Sequence, residues 1–434
     1  MHKLTGDRDA VMKVMKETIY HLSQDRPKTK RAGMKKLGLK SESQWPTMRD
    51  EVVDNLQKAY RRAQDESVVK AAKGFTPGLL QEMWYAPRDQ TIALLQSAMD
   101  EYLDKKATKA QRTAKKAGSR PQSKEAVIGE QFDTIDPGWI EVAVETLKIK
   151  FKGKHKFITH KKPDDFRFPL ADKATIALVG DWGGGNDATK AVADLVKSKE
   201  PDHVIHLGDV YYAGTEKEVK DRFLKYWKFW STPAVAGRSF ALNSNHEMYS
   251  GGYAYFDVTL KEFKQPASYF SLSNDNWRLI GLDTGYVDHN LNKEQVEWLK
   301  AQLESGSPKN ILLTHHQLFS AYEDTGDALE TWVKPLLDAE KIYGWLWGHE
   351  HLEVIYKKFK NVKARCVGNG CFPYEAPSGP PRHPEVPIEF INQRKQTGHL
   401  SHGIHSFVLL TIDGPKMHID YIDQDGVVAF KEDF

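Results

Sequence analysis

Between Thr175 and His351 the chain repeatedly runs through a short apolar stretch and then halts at glycine, carboxylate, amide or imidazole. Thr175 to Val179 leads into Gly180-Asp181-Trp182-Gly183, and Val204 to Leu207 into Gly208-Asp209-Val210-Tyr211-Tyr212. Phe240 to Leu242 precedes Asn245-His246-Glu247, Ile311 to Thr314 precedes His315-His316, and Tyr343 to Trp347 precedes Gly348-His349-Glu350-His351. Apolar runs this short, bounded by glycine and polar residues, read as buried strands. Helical patterns follow the first two, at Ala188 to Lys197 and Glu216 to Trp230. Polar residues far apart in sequence thus fall just beyond strand C-termini, where open α/β sheets place their sites. Antiparallel-looking runs at Ser268 to Leu272, Trp277 to Leu282, Lys363 to Val367, His405 to Ile412 and Lys416 to Ile422 argue against a purely parallel sheet. The expected fold class is α+β, with two packed mixed β-sheets flanked by helices.

A chain of 434 residues exceeds the usual size of one hydrophobic core, so two domains are expected, residues 1–165 and 166–434. The first reads as mainly helical. Pro46, Asp50 and Glu51 lie ahead of an apolar stripe at Val52, Val53, Leu56 and Tyr60, and a second stripe runs through Ile92, Leu94, Leu95, Met99 and Leu103. Lys105 to Arg120 extends as exposed helix, and Leu147 to Phe157 suggests a hairpin. Residues 1–170 carry 34 Lys and Arg against 23 Asp and Glu, while residues 171–434 carry 28 against 36, so a part of net charge +11 adjoins one of −8. The basic runs lack interleaved aromatics, which leaves nucleic acid a weakly supported partner and a solvated face the simpler reading. No stretch approaches the ~18 apolar residues of a membrane span, and Met1 to Gln24 lacks the apolar segment of a secretory signal; cytoplasmic placement is expected. Cys366 and Cys371 are too few for a stapled scaffold or a zinc site and are expected as free thiols.

Carboxylate, amide oxygen and imidazole without thiolate suit borderline divalent metals, or iron paired with one. The two histidines of Gly348-His349-Glu350-His351, at i and i+2, approach a common site from a turn better than from one helical face. Two metals about 4 Å apart activate hydroxide and neutralise phosphoryl oxygens as charge develops. The bland alternative is a set of unrelated hydrogen-bonded turns.

As an ordered set these motifs resemble the calcineurin-like metallophosphoesterase superfamily, with a particular likeness to its purple acid phosphatase branch, over roughly Thr175 to Gly370. The resemblance implies that superfamily's four-layer fold and dinuclear-metal-dependent hydrolysis of phosphate esters, with a phosphorylated small molecule or other phosphoester as substrate. Asp181, Asp209, Tyr212 and His351 would surround one metal, and Asp209 would bridge to a second held by Asn245, His315 and His349. Gly183 stands where many members carry a metal-binding histidine, and Tyr212 fits the branch that uses tyrosine instead. Tyrosinate implies Fe(III) with Fe(II), Zn(II) or Mn(II), and Tyr211 is read as a packing or substrate-facing neighbour. His246 would act near the leaving oxygen, with Glu247 orienting its imidazole. Ser244 and Gln317 depart from the glycine and proline common at those places. A phosphodiesterase or nuclease using the same metals, and a metal-stabilised binding module without turnover, are the alternatives.

Between Cys371 and His405 lies a long polar segment containing six prolines. Its Tyr374, Arg382, His383, Arg394 and His399 are candidates to bind phosphate or cover the site. Trp182, Tyr211 and Tyr249 are candidates to stack on a base or an aromatic leaving group.

Overall fold

The computed structural model describes residues 7–24, 30–31, 34–35, 40–72, 85, 87–116, 149, 152–227, 236–306, 308–374, 380–396 and 402–434. Contacts divide the chain into two compact units, Met1–Gly153 and Lys154–Phe434.

The first unit contains helices α1 (Arg8–Ser23), α2 (Trp45–Ala72) and α3 (Gln90–Lys116). Asp7 caps α1 by accepting the Ala10 N–H at 3.0 Å, satisfying an amide that has no partner within the helix. Val11, Met15 and Leu22 of α1 are buried in one cluster with Val52 and Leu56 of α2 and Ile92, Leu95, Met99 and Leu103 of α3. The helical periodicity of these residues is therefore a packing signal. The hairpin expected from Leu147 to Phe157 lies partly outside the described residues, and 152–157 form no strand. Residues 154–165 open the second unit and pack on its core. Lys154 donates to the Tyr286 carbonyl, Phe157 joins that unit's core and the His160 N–H meets the Tyr269 hydroxyl.

The second unit is built on two sheets. Its strands are β1 (Arg167–Pro169), β2 (Lys173–Val179), β3 (His203–His206), β4 (Ser239–Ala241), β5 (Phe270–Ser273), β6 (Trp277–Gly281), β7 (Lys309–Thr314), β8 (Gly344–Trp347), β9 (Glu353–Tyr356), β10 (Lys363–Val367), β11 (Ile388–Ile391), β12 (Ser406–Asp413), β13 (Lys416–Asp423) and β14 (Val428–Asp433). One sheet has the order β1-β5-β6-β7-β8-β10-β9-β11 and the other β14-β13-β12-β2-β3-β4. Both are mixed. β2, β3 and β4 run parallel in one, and β6, β7, β8 and β10 in the other, with antiparallel strands outside them.

Ile176, Leu178 and Ile205 of one sheet share a buried cluster with Leu279, Ile311 and Leu346 of the other, so the sheets pack face to face. The outer face of the first is covered by α4 (Asp187–Ser198) and the helical segments 216–227 and 255–263. The outer face of the second is covered by α5 (Lys293–Glu304) and α6 (Asp327–Asp338). Four layers result, and strands buried on both faces explain the nearly unbroken apolar runs. The register pairs Val179 with His206 and Thr314 with Trp347, so the loops opening at Gly180 and Leu207, and at His315 and Gly348, start level with one another.

Candidate metal centre

Those level loops turn abruptly. Asp181, Asp209, His349 and His351 have φ of 54°, 76°, 70° and 55°, in the left-handed region that side chains normally avoid. Residues held in such conformations cluster at functional sites, where surrounding packing over-determines them. Space is equally tight at the preceding glycines. A Cβ on Gly208 would lie 2.7 Å from His315 Nδ1, and one on Gly348 would lie 2.6 Å from Asp181 Oδ2. Backbone amides tie the loops together. Asp181 N–H donates to the Gly208 carbonyl at 3.1 Å, His349 N–H to Asp181 Oδ2 at 2.7 Å, and Gly348 N–H to the His315 carbonyl at 3.0 Å.

The side chains converge in two groups that share Asp209. His315 Nε2 lies 3.2 Å from Asp209 Oδ1, 3.0 Å from Asn245 Oδ1 and 3.2 Å from His349 Nδ1. His315 Nδ1 donates to the Leu207 carbonyl at 2.9 Å, which leaves Nε2 with a bare lone pair in the neutral ring. Burial holds the His315 pKa below the usual imidazole range and so favours that neutral ring. The Asn245 amide donates to the Tyr249 hydroxyl at 3.0 Å, which turns its oxygen inward. Lone pairs of nitrogen, amide oxygen and carboxylate thus face one another, an arrangement a cation relieves. Asp209, His315 and His349 each offer a ligand atom within 4.8 Å of the others'.

Asp181, Asp209 and His351 form the other such group. Here the tyrosine hydroxyl beside the carboxylates is that of Tyr211, where Tyr212 was expected. The Tyr211 hydroxyl stands 3.2 Å from Asp181 Oδ1, 3.1 Å from Asp209 Oδ2 and 2.8 Å from His351 Nε2. The Tyr212 ring instead lies beneath the Arg222 guanidinium, 5.3 Å from the ring centre. Its backbone explains why, since the N–H donates to Glu218 Oε1 at 2.5 Å and the carbonyl accepts from His246 Nδ1 at 2.5 Å. With the Tyr212 backbone held on both sides, the Tyr211 ring is the one that stands at the two aspartates and His351.

Electrostatics match a site awaiting positive charge. Burial, and then the neighbouring Asp209 carboxylate, raise the Asp181 carboxyl well above its ordinary value. Burial also opposes ionisation of Asp209, but His246 and then the Ser244 hydroxyl counter it and hold that carboxyl low. Burial, followed by the two aspartates, pushes the Tyr211 phenol up. The donor set contains oxygen and imidazole nitrogen only, and it fits two borderline or hard cations.

His246 Nε2 lies 3.7 Å from Asp209 Oδ2, with Nδ1 engaged by the Tyr212 carbonyl. Glu247 does not orient it. Its carboxylate instead meets the Ser244 hydroxyl and accepts the Asp209 N–H at 3.3 Å, so it braces the Asp209 turn. Ser244 also caps the short helix Asn245–Tyr249 through the His246 and Glu247 amides.

Other expected participants have partners of their own. Trp182 is fully buried against Phe223 and Trp227 with Nε1 donating to the Thr189 carbonyl, so it does not stack on a ligand. Tyr249, nearly buried, holds Asn245. Tyr374 donates to the Ile404 carbonyl, Arg382 pairs with Asp324, His383 with Glu385 and Arg394 with Asp423, while His399 lies outside the described residues. Cys366 and Cys371 are free and buried. The Cys371 sulfur accepts the Gly183 and Gly184 N–H groups at 3.2 Å, which shapes the Asp181 loop. His289 reaches the rim of the centre from a loop without a recognisable sequence pattern. The His315-His316 doublet was visible, but the place of its second ring was not.

Residues 174–353 match the family model described as calcineurin-like phosphoesterase. Tartrate-resistant acid phosphatase type 5 of Sus scrofa is 27% identical over 213 residues, 40% of this chain and 62% of that protein. The chain therefore spans less than two thirds of that curated relative. Among solved structures, purple acid phosphatase PPD1 of yellow lupin (Lupinus luteus) matches with a TM-score of 0.45 at 17% identity, over 61% of this chain and 54% of that one. GAP50, the anchor in the inner membrane complex of Plasmodium, matches with a TM-score of 0.48 at 13% identity, over 60% and 88%.

Proposed function

Starting from the premise that residues 174–353 constitute a calcineurin-like phosphoesterase domain, we propose that this protein hydrolyses phosphate esters at a dinuclear metal centre, with monoesters favoured. The observation that carries this reading is Asp209, a buried carboxylate with one oxygen 3.2 Å from His315 and the other 3.1 Å from the Tyr211 hydroxyl. Asp181, Tyr211, His351 and Asp209 would hold one ion, and Asp209, Asn245, His315 and His349 the other. Such a pair supplies Lewis acidity that neutralises phosphoryl oxygens and acidifies water near neutral pH. Phenolate among the donors favours ferric iron, paired with iron, zinc or manganese.

The chain's own groups divide the remaining work. The backbone bonds from His315 to Leu207 and from His349 to Asp181 fix ligand orientation before any ion arrives. His246, held at Nδ1 and aimed past Asp209, gives a proton to the departing oxygen or a hydrogen bond to the phosphoryl group. Glu247 positions Asp209 through its amide. The same donors serve a diester equally well, and pocket access sets the choice.

The test uses the full chain loaded separately with Fe, Zn and Mn and assayed against phosphate monoesters, diesters and nucleic acid. Monoester turnover is expected, falling about 10²–10⁴-fold in His246→Ala. Faster diester cleavage would replace the monoesterase assignment. Tightly held metal without any turnover would make the domain a binding module.

A further inference from the structure

Beside the proposed pair of ions lies another convergence of imidazoles. His289, His316 and His349 each offer one ring nitrogen within 4.8 Å of the other two. Their ring centres are 3.9 Å apart for His289 and His316, 4.7 Å for His316 and His349, and 5.2 Å for His289 and His349. Imidazoles at such spacing repel one another when protonated, and three neutral nitrogens converging on one point form a ligand set.

Two of the rings are braced from behind. His289 Nδ1 lies 2.9 Å from Asp288 Oδ1, and His316 Nδ1 lies 3.0 Å from the Thr284 hydroxyl. The Asp288 carboxylate only accepts, so it holds a proton on His289 Nδ1 and leaves the other nitrogen as the metal donor, the usual support of a metal-binding histidine, while the Thr284 hydroxyl, which also accepts the His316 backbone N–H, fixes where the His316 ring sits. His289 also has φ 56°, in the same left-handed region as Asp181, Asp209, His349 and His351. A strained residue here is held by its surroundings for its side-chain position.

We propose that His289, His316 and His349 form a third cation site, adjoining the dinuclear centre and sharing His349 with it. This inference rests on the preceding assignment only through that shared residue. An all-imidazole set selects Zn(II), Co(II), Ni(II) or Cu(II) over Mg(II) and Mn(II). The His289 side chain is 43% exposed, which gives the ion a route from solvent and leaves room for a further ligand.

The experiment titrates chelator-stripped full-length protein with Co(II), following bound equivalents by elemental analysis and ligand-field absorption. Wild type is expected to take three equivalents and His289→Ala two, with the third affinity weakened about 100-fold. His289 is partly exposed, so its loss spares the core, and His289→Gln serves as a second variant. The deciding quantity is the equivalent lost on removing His289. Asp209→Asn should lose ions from the pair yet keep one that the added His289→Ala removes, which separates failure of this site from failure of the dinuclear assignment. A wild type with no His289-dependent equivalent would overturn the proposal and leave these rings as direct donors to an anionic substrate.

Discussion

Replacing Asp209 with asparagine keeps the shape of a buried side chain and deletes its charge, and the consequence should depend on metal. The ligand oxygens of Asp181 and Asp209 lie within 4.8 Å of one another. Two unit charges at that distance repel by roughly 3.5 kcal/mol at an effective dielectric constant of 20. Without metal the fold escapes part of this cost by keeping Asp181 protonated, in line with its raised pKa. Holding that proton at neutral pH still costs stability. Asp209→Asn removes that cost but also the attraction of His246 that holds the Asp209 carboxyl low, so the two effects offset and the chelated variant should melt within a few degrees of the wild type. In excess metal the wild type should pull ahead. A ligand at 100 times its Kd stabilises it by about 2.7 kcal/mol per site, and the variant lacks the carboxylate that both proposed sites share. Thermal melts with chelator and with saturating Zn or Mn read both conditions in one experiment. If the variant were destabilised equally under both, Asp209 would be a structural residue and the reasoning from a shared metal ligand would be wrong.

Two further outcomes follow from individual contacts. An iron-loaded sample should show a visible tyrosinate charge-transfer band that disappears in Tyr211→Phe and persists in Tyr212→Phe, because the Tyr211 hydroxyl is the one among Asp181, Asp209 and His351; the reverse pattern would refute the placement. Burial holds the His405 imidazole down at about 4, with Nδ1 donating to the Asn369 carbonyl and Nε2 accepting from Gln396. A histidine whose folded pKa is depressed contributes stability that is present above its unfolded value and lost as pH falls toward the folded one. Acid should therefore remove up to about 3 kcal/mol between pH 6.5 and 4, and denaturant melts of His405→Asn should show a shallower pH slope over that window. An unchanged slope would mean that His405 charges without cost.

Much of this protein is legible along the chain because burial leaves a one-dimensional trace. Strands covered on both faces must be apolar throughout, so Thr175 to Val179 and Ile311 to Thr314 stand out, and their ends mark where polar side chains must gather. The residues proposed as ligands, Asp181, Asp209, Asn245, His315, His349 and His351, stand out through the same punctuation. Tertiary structure alone chose between Tyr211 and Tyr212. That choice turns on the Glu218 carboxylate and the His246 ring gripping one peptide, partners six and 34 positions away with no pattern linking them. It also turned Glu247 toward the Asp209 amide instead of toward His246, and it brought His289 from a featureless loop to His316 and His349. Apolar periodicity records which residues leave water; the direction of each polar group is set by whichever distant donors and acceptors the finished fold places within about 3 Å of it.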